Sequence, residues 1–266
     1  MCNPKSLISI ILAGGLGKRM NSDLPKVLHF VNGKPMICHI IDRALELNSN
    51  KILIIVGKYR KIIDETIANY YEDSIYNDYF IFIDQPNPIG TGNALYCCIE
   101  WLNINVRYID TRILILSGDV PLLTNETLSS FISYKPFSNV LMTYELDEPR
   151  GYGRIIVDEE SGYIEKIIEE KDCTEEQFKI KIVNCGIYYT DYFTLFNTLP
   201  KLDNRNASGE YYLTDIIGLS FHKKGFSPYV LSKEKHIEIA NINTKEDLDR
   251  INSNTSDCFS NTMYSI

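Results

Sequence analysis

The sequence predicts an α/β fold built on a parallel sheet, and three observations carry that reading. Apolar runs and helical stretches alternate through the first half of the chain. The runs are continuously apolar instead of alternating in polarity, the pattern of strands covered on both faces. The first run, residues 7–12, opens directly into Gly14, Gly15 and Gly17. A strand feeding a glycine-rich turn is the usual way such folds present backbone N–H groups to an anion.

Taken in order, residues 6–12 read as the first strand. Residues 36–47 place Ile37, Ile40, Ile41, Ala44 and Leu45 on one helical face. Residues 51–56 form a buried strand, 62–71 a helix, 79–84 a strand, and 93–102 a helix after a Pro/Gly loop. Residues 112–116 form a strand ending at Ser117-Gly118-Asp119, and 124–133 a helix. This order implies helices on both faces of the sheet. The second half is richer in strands, at 140–146, 153–157, 163–170 and 181–190, which suggests an antiparallel extension of the same core. Residues 210–224 read as a helix stopped by Gly225, and 236–242 as a last strand. Residues 244–251 read as a short helix with Thr244 and Asp247 in a capping-box arrangement. One domain is expected over residues 1–251, then a polar, disordered tail over 252–266.

The chain has 266 residues and is 44% hydrophobic, enough for a substantial core. No apolar run approaches the roughly 20 residues that span a bilayer, and the apolar N-terminal stretch reads as the first strand, not as a signal peptide. The formal net charge of −8 argues against nonspecific nucleic-acid binding, so a site for an anionic substrate must be locally basic on an acidic background. The seven cysteines are odd in number and contain no C-x-x-C pair, which predicts reduced thiols and a cytoplasmic setting instead of a zinc site or disulfide framework.

Three stretches carry the chemistry. In the first, the glycines are followed by Lys18, Arg19 and, after Pro25, Lys26. Glycines alone also make a tight turn. The spacing G-G-x-G lacks the third glycine and the later acid of a dinucleotide loop, and no G-K-S/T of a Walker-type loop follows. Three cations so close to a strand end suggest an oligophosphate. In the second, Asp119 falls just past the C-terminal end of a central strand, where open α/β sheets bind ligands. A carboxylate there can hold Mg²⁺ or cap the following turn. In the third, Gln85 at a strand end precedes Gly90-Thr91-Gly92, and its amide offers a donor and an acceptor to a nucleobase edge.

Together these stretches resemble the nucleotidyltransferases that make sugar nucleotides, and in detail the uridylyltransferase domain of bacterial N-acetylglucosamine-1-phosphate uridylyltransferases. Residues 12–28 match that family's L-x-x-G-x-G-x-R-M-x-S-x-x-P-K-V-L, and Gln85 to Gly92 and Gly118-Asp119-Val-Pro-Leu match two further motifs. Gly151-Tyr-Gly-Arg-Ile, Glu169-Glu-Lys-Asp with Asn184-Cys-Gly-Ile, and Asn206-Ala-Ser-Gly-Glu-Tyr-Tyr-Leu-Thr-Asp fit this subfamily in particular. The resemblance covers roughly residues 7–250. It implies a Rossmann-like nucleotidyltransferase fold, with a mixed, mostly parallel central sheet flanked by helices and a smaller β-rich sugar-binding extension. The implied reaction joins UTP and N-acetylglucosamine-1-phosphate into UDP-N-acetylglucosamine and pyrophosphate, with no nucleic-acid or membrane partner.

By the same resemblance, Leu12, Ala13, Gly14 and Gly15 would give backbone contacts to the nucleotide, with Gly118 beside them. Arg19 and Lys26 would neutralise the triphosphate, Lys26 near the α-phosphate. Gln85, Gly90 and Thr91 would recognise uracil. Asp119 and Asn243 would bind Mg²⁺, with Asn241 as the fallback for the second position. Gly153, Glu169 and Asn184 would contact the amino-sugar phosphate, and Glu210 and Tyr212 would line its sugar end. The sequence departs from the family at Gly14 (Ala in the family), Lys18 (commonly Thr), Asn93 (His) and Cys185 (Thr). A covalent role for Cys185 is not expected, since the family uses no covalent step. Two other readings stay open: the same chemistry on another sugar phosphate or nucleotide such as glucose-1-phosphate, and a silent regulatory homologue. The bifunctional bacterial enzymes continue into a β-helix of hexapeptide repeats for acetyl transfer. That pattern is absent from the 266 residues, so acetyl transfer is not expected, and the oligomeric state stays open.

Overall fold

Continuous apolar strands need cover on both faces, and the chain supplies it from helices on each side of one sheet. A computed structural model describes residues 6–106, 111–135 and 138–262, with side chains through Ser253. The first half contains β1 (Ser6–Leu12), a short hairpin of β2 (Phe30–Val31) and β3 (Lys34–Pro35), α1 (Met36–Glu46) and β4 (Lys51–Val56). It continues through α2 (Arg60–Tyr70), α3 (Asp73–Tyr79), β5 (Phe80–Asp84), α4 (Thr91–Tyr96), α5 (Ile99–Asn105), β6 (Thr111–Ser117) and α6 (Asn125–Tyr134). The second half contains β7 (Asn139–Glu145), β8 (Arg154–Val157), β9 (Ile164–Ile168), β10 (Ile182–Asp191), α7 (Tyr192–Thr198), α8 (Asp215–Lys224), β11 (Phe226–Val230) and α9 (Lys245–Thr262).

Among the described residues the main sheet runs β5-β4-β1-β6-β10-β7-β11-β9-β8. The first four strands are mutually parallel, with β1 between β4 and β6. β10 then enters antiparallel to both β6 and β7, and β11 lies parallel to β7. The sheet is therefore mixed, and the antiparallel extension expected from the second half is β8, β9 and β10. Successive side chains on a strand point to opposite faces. Ile11, Ile54 and Leu116 accordingly pack with Ile37, Ile40 and Ile41 of α1 on one face. Ile10, Ile55 and Ile115 pack with Leu95, Ile216 and Ile217 on the other.

Several boundaries differ from the sequence reading. The helix expected at 93–102 is two helices, α4 and α5, separated by a turn at Cys97-Cys98. The helix expected at 210–224 begins only at Asp215, because residues 211–213 are tied by hydrogen bonds to the loop at residues 89–91. Its stop at Gly225 is real, although Gly225 leaves the helix through an extended conformation at φ −60°. The last strand expected at 236–242 is instead a 3₁₀ segment, Lys233–Ile239. Glu238 and Ile239 are both buried there, and the Glu238 carboxylate accepts from the Thr124 N–H at 3.0 Å and its hydroxyl at 2.9 Å, tying the segment to the start of α6. The strand β11 was not expected, and neither were α3 and α7. The final helix starts at the expected capping box, with the Asp247 N–H donating to Thr244 Oγ1 at 3.1 Å and the Thr244 N–H to Asp247 Oδ2 at 3.0 Å. It runs on to Thr262 in place of a tail from residue 252, because Ile251 is buried against Val31 and Met36 and Asn252 Nδ2 donates to Phe30 O. Residues 263–266 of that expected tail lie outside the described residues.

No helix among the described residues is long and apolar enough to cross a membrane. Ile54 is fully buried in β4 at the centre of the parallel half. An Ile54→Ala variant should lose ~2–5 kcal/mol of stability, read as a lower urea midpoint with an unchanged slope.

Candidate active site

The parallel strands all end at one edge, and short backbone bonds lock their ends together. The Ala13 N–H donates to Ile55 O at 2.9 Å, the Gln85 N–H to Val56 O at 2.7 Å, and the Gly118 N–H to Leu12 O at 3.1 Å. The loops that leave these strands surround a cleft of about 440 Å³. Leu12, Ala13, Gly14 and Gly15 line it on one side, Gln85, Gly90 and Thr91 on another, and Lys26 and Asp119 close a third.

Lys26 sits between two oxygen-bearing side chains from distant parts of the chain. Its ammonium is paired with the Asp119 carboxylate and donates to Asn243 Oδ1 at 3.1 Å. Arg19 Nη2 donates to the same Asn243 oxygen at 2.9 Å. Ser117 Oγ donates to the other Asp119 oxygen, Oδ1, at 2.6 Å. The Ile242 N–H donates to Asp119 O at 3.0 Å, which brings residues 242–243 to the end of β6. Asn243 is thus joined to Asp119 through the Lys26 ammonium. Among the described residues there is no cluster of three or more His, Cys, Asp or Glu side chains suited to a metal, so any ion here depends on this mixed pair of oxygens.

Gln85 is buried at the end of β5. Its Nε2 donates to Gly90 O at 3.1 Å and to Asn93 Oδ1 at 3.0 Å. A Cβ added to Gly14 would stand 2.8 Å from Gln85 Oε1, so the end of the Gln85 amide lies in the space that a side chain at Gly14 would need. Gly90 has φ +125°, and a Cβ there would fall 2.3 Å from Tyr211 O. The Gly90 loop and the segment around Tyr211 are in fact laced together. The Tyr211 N–H donates to Ile89 O at 2.9 Å, the Gly92 N–H to Tyr211 O at 2.8 Å, and the Leu213 N–H to Thr91 Oγ1 at 3.1 Å.

That lacing joins the Gly90 loop to a group of acidic side chains. Glu210 lines the same cleft as Gln85. Thr214 Oγ1 donates to Glu169 Oε1 at 2.9 Å, and Gly153 lies against the same carboxylate. The Asn184 N–H donates to Gly153 O at 3.0 Å, while the Asn184 side chain donates to the Tyr188 hydroxyl and accepts from the Gly186 N–H in a bulge of β10. Burial, then the neighbouring Asp172 and Glu210, push the Glu169 carboxyl above its ordinary range against the opposing Thr214 bond. Burial, with Asp203, Glu169 and Asp172, raises Asp215 to about 6. Cys185 is fully enclosed and burial pushes its thiol up, the wrong direction for a nucleophile.

The expected site residues fall into three groups. Leu12, Ala13, Gly14, Gly15, Lys26, Gln85, Gly90, Thr91, Asp119 and Glu210 line one cleft. Arg19, Asn243, Gly153, Glu169 and Asn184 are joined to one another or to that cleft through the bonds above. Gly118 does not line it, since it packs against Leu12 O and Val27 at the strand junction. Tyr212 stands in the laced segment, where its hydroxyl is turned upward in pKa by partial burial, against a bond with Ser208. Ser117, Asn93 and Thr214 have no role in the sequence reading, although each stands in or beside a quoted motif, and each is hydrogen-bonded to an expected site residue, Asp119, Gln85 and Glu169 respectively. A second cleft of about 410 Å³ lies at the opposite end of β6, floored by the Arg112, Asp191 and Lys224 ion pairs that anchor β10 and α8.

The family model for the MobA-like NTP transferase domain matches residues 9–152. The chain is 43% identical over 249 residues to the Acanthamoeba polyphaga mimivirus protein named "Probable UDP-N-acetylglucosamine pyrophosphorylase", covering 91% of this chain and 94% of that one. It is 37% identical over 247 residues to "Bifunctional protein GlmU" of Caldanaerobacter subterraneus subsp. tengcongensis, and 37% identical over 239 residues to that of Methylobacillus flagellatus. It spans only 50% and 48% of the length of those two relatives. A solved structure of a Bacillus anthracis protein assigned as a glucose-1-phosphate thymidylyltransferase shares the fold, with a TM-score of 0.70 at 20% identity over 93% of this chain and 94% of that one.

Two outcomes follow from this geometry. Gly90→Ala forces a side chain into the Tyr211 backbone and should lower stability by about 2 kcal/mol or more, seen in thermal melting. Asp215 holds its proton to about pH 6 when folded but only to its ordinary 3.8 when unfolded. Between those values the folded state binds more protons, so stability falls as pH rises and the loss is complete above the upper one. Asp215→Asn should therefore melt higher than the parent at neutral pH, and the two melting temperatures should converge near pH 4.

Proposed function

The chain belongs to the family of MobA-like NTP transferase domains, and from that premise we propose that it is a UDP-N-acetylglucosamine pyrophosphorylase. The proposed substrates are UTP and N-acetylglucosamine-1-phosphate, and the products UDP-N-acetylglucosamine and pyrophosphate. The observation that carries this reading is the meeting of Lys26, Asp119, Asn243 and Arg19 at the mouth of the glycine loop. The choice of sugar and base is supported by the name of the mimivirus relative, which this chain matches across nearly its full length.

In the proposed reaction an oxygen of the sugar phosphate attacks the α-phosphorus of UTP. A new O–P bond forms as the bond to the bridging α,β-oxygen breaks, and pyrophosphate leaves with that electron pair. No protein nucleophile is required. The task of the chain is to hold two polyanions in line and to offset the charge that builds up between them. Lys26 and Arg19 supply fixed positive charge, and Lys18 lines the same cleft. The glycine loop leaves room for the phosphates to lie against backbone. Gln85 reads the base, and Glu169, Asn184, Glu210 and Tyr212 contact the amino sugar through a set of acceptors and donors that suits hydroxyls and an acetamido group.

The donor set also fits Mg²⁺. The Asp119 carboxylate and the Asn243 amide oxygen already share one cation, the Lys26 ammonium, and Mg²⁺ binds through one or two carboxylates with substrate phosphate oxygens. We propose that Asp119 and Asn243 hold it, where it would neutralise the phosphate oxygens. Cys38, Cys97, Cys98, Cys173 and Cys185 carry free thiols, which supports a cytoplasmic setting.

Lys26→Ala should lower turnover by about 10²-fold or more. Unchanged pyrophosphate release in that variant would overturn the mechanism. A matrix of nucleoside triphosphates against sugar-1-phosphates with Mg²⁺, scored by pyrophosphate release, tests the substrates. Strong turnover is expected only for UTP with N-acetylglucosamine-1-phosphate. A different best pair would keep the chemistry and reject the substrate, and silence with every pair would reject the enzyme.

A further inference from the structure

Two of the positions at which the sequence departs from its motifs, Gly14 and Asn93, touch the same side chain from opposite sides. Both contact the Gln85 amide. An unconstrained glutamine amide is ambiguous as a base reader, since it can turn either its oxygen or its nitrogen toward a ligand. Here that ambiguity is removed. Gly90 O is a backbone carbonyl and can only accept, so the atom of Gln85 that meets it at 3.1 Å must be the nitrogen. The second hydrogen of that nitrogen goes to Asn93 Oδ1 at 3.0 Å. Both donors of the Gln85 amide are therefore spent inside the protein. What remains is Oε1, a pure acceptor, on the side where Gly14 leaves the space that a methyl group would fill. Gln85 and Gly14 line the nucleotide cleft, whereas Asn93 faces a separate hollow behind them with Tyr96 and Leu202.

We propose that Asn93 is a positioning residue for base selection. Together with Gly14 it fixes Gln85 as an acceptor-only reader, selecting a base that presents a ring N–H. Uracil presents such an N–H at N3. Cytosine presents a lone pair there, which would face the Oε1 lone pairs without a shared hydrogen. Asn93 never touches the nucleotide; it acts by consuming the donor that would otherwise let the Gln85 amide serve either base. This rests on the nucleotidyl-transfer reading above, with Gln85 at the base.

The experiment measures kcat and KM for UTP and for CTP, each with N-acetylglucosamine-1-phosphate, in the parent, Gln85→Ala, Asn93→Ala and Asn93→Asp. The parent should favour UTP strongly, and Gln85→Ala should lose most of that preference. Asn93→Ala should lower the UTP-to-CTP ratio of kcat/KM by roughly 3- to 10-fold, the scale of one lost hydrogen bond, mainly through KM. Asn93→Asp keeps an oxygen acceptor and should keep the ratio. A uniform loss on both nucleotides in Asn93→Ala would mark a merely structural role and overturn the inference. A ratio unchanged in Asn93→Ala but lost in Gln85→Ala would overturn the inference and leave the base reading standing. A parent without preference for UTP, or a Gln85→Ala variant that keeps it, would remove the base reading and the inference together. Isothermal titration of UTP and CTP into the same variants without sugar phosphate gives the ratio independently of turnover.

Discussion

One ammonium group organises the junction at the mouth of the glycine loop. Lys26 comes from the loop after β1, Asp119 from the end of β6, and Asn243 from the turn before α9, yet the three side chains meet. An isolated carboxylate at this half-buried junction would be unfavourable, and so would an isolated ammonium. Each is tolerated because the other is present, and Asn243 is drawn in as the second acceptor. The cluster closes the C-terminal part of the chain onto the parallel half of the sheet. It also gathers oxygen donors and cations at the one place where the strand ends converge.

The same economy of contact governs the other end of the cleft. The loop after β5 would be free to splay away from the sheet if it ended at Gly90. Instead three hydrogen bonds tie it to residues 211–213, and those residues lead into Thr214, which holds Glu169. A left-handed glycine is required at Gly90 because the Tyr211 carbonyl occupies the space of any side chain. The Gly90 loop and the Glu169 carboxylate are thus parts of one continuous network. A displacement at Thr91 must be felt at Leu213, and from there at Glu169.

Legibility from sequence followed the physics of each element. β1, β4 and β6 were readable because a strand buried on both faces leaves an uninterrupted apolar run, and α1 because its apolar stripe repeats with the helical period. β11 escaped because it is short and carries Pro228. A proline fits there because β9 pairs with β11 only at Phe226, leaving the ladder at Pro228 one-sided. Residues 236–242 alternate His, Ile, Glu, Ile, which imitates a strand, but Glu238 is buried for its bonds to Thr124 and not exposed as alternation would require. In the site, the glycine loop, Gln85 and Asp119 were legible because their chemistry is local in sequence. Asn93, Ser117 and Thr214 were not, because what marks them is a hydrogen bond to Gln85, Asp119 and Glu169, which depends on side-chain directions that residue type alone does not fix.

The polarity of the cleft bears on how a sugar phosphate would be oriented. Cations gather beside the glycine loop, at Lys18, Arg19 and Lys26 with Asp119 among them, while Glu169, Glu210 and Asp215 form a second, acidic group. Under the proposed reading, the phosphates of a ligand would lie by the cations and its neutral, hydroxyl-rich part by the acidic group. Burial first, and then the neighbouring acids, raise the Asp215 carboxyl above its ordinary range. An acidic chain can therefore carry a locally cationic patch beside the glycine loop, because Glu169, Glu210 and Asp215 stand together in a separate group. The net charge of −8 is a poor guide to the site, and the separation of charge along the cleft is the better one.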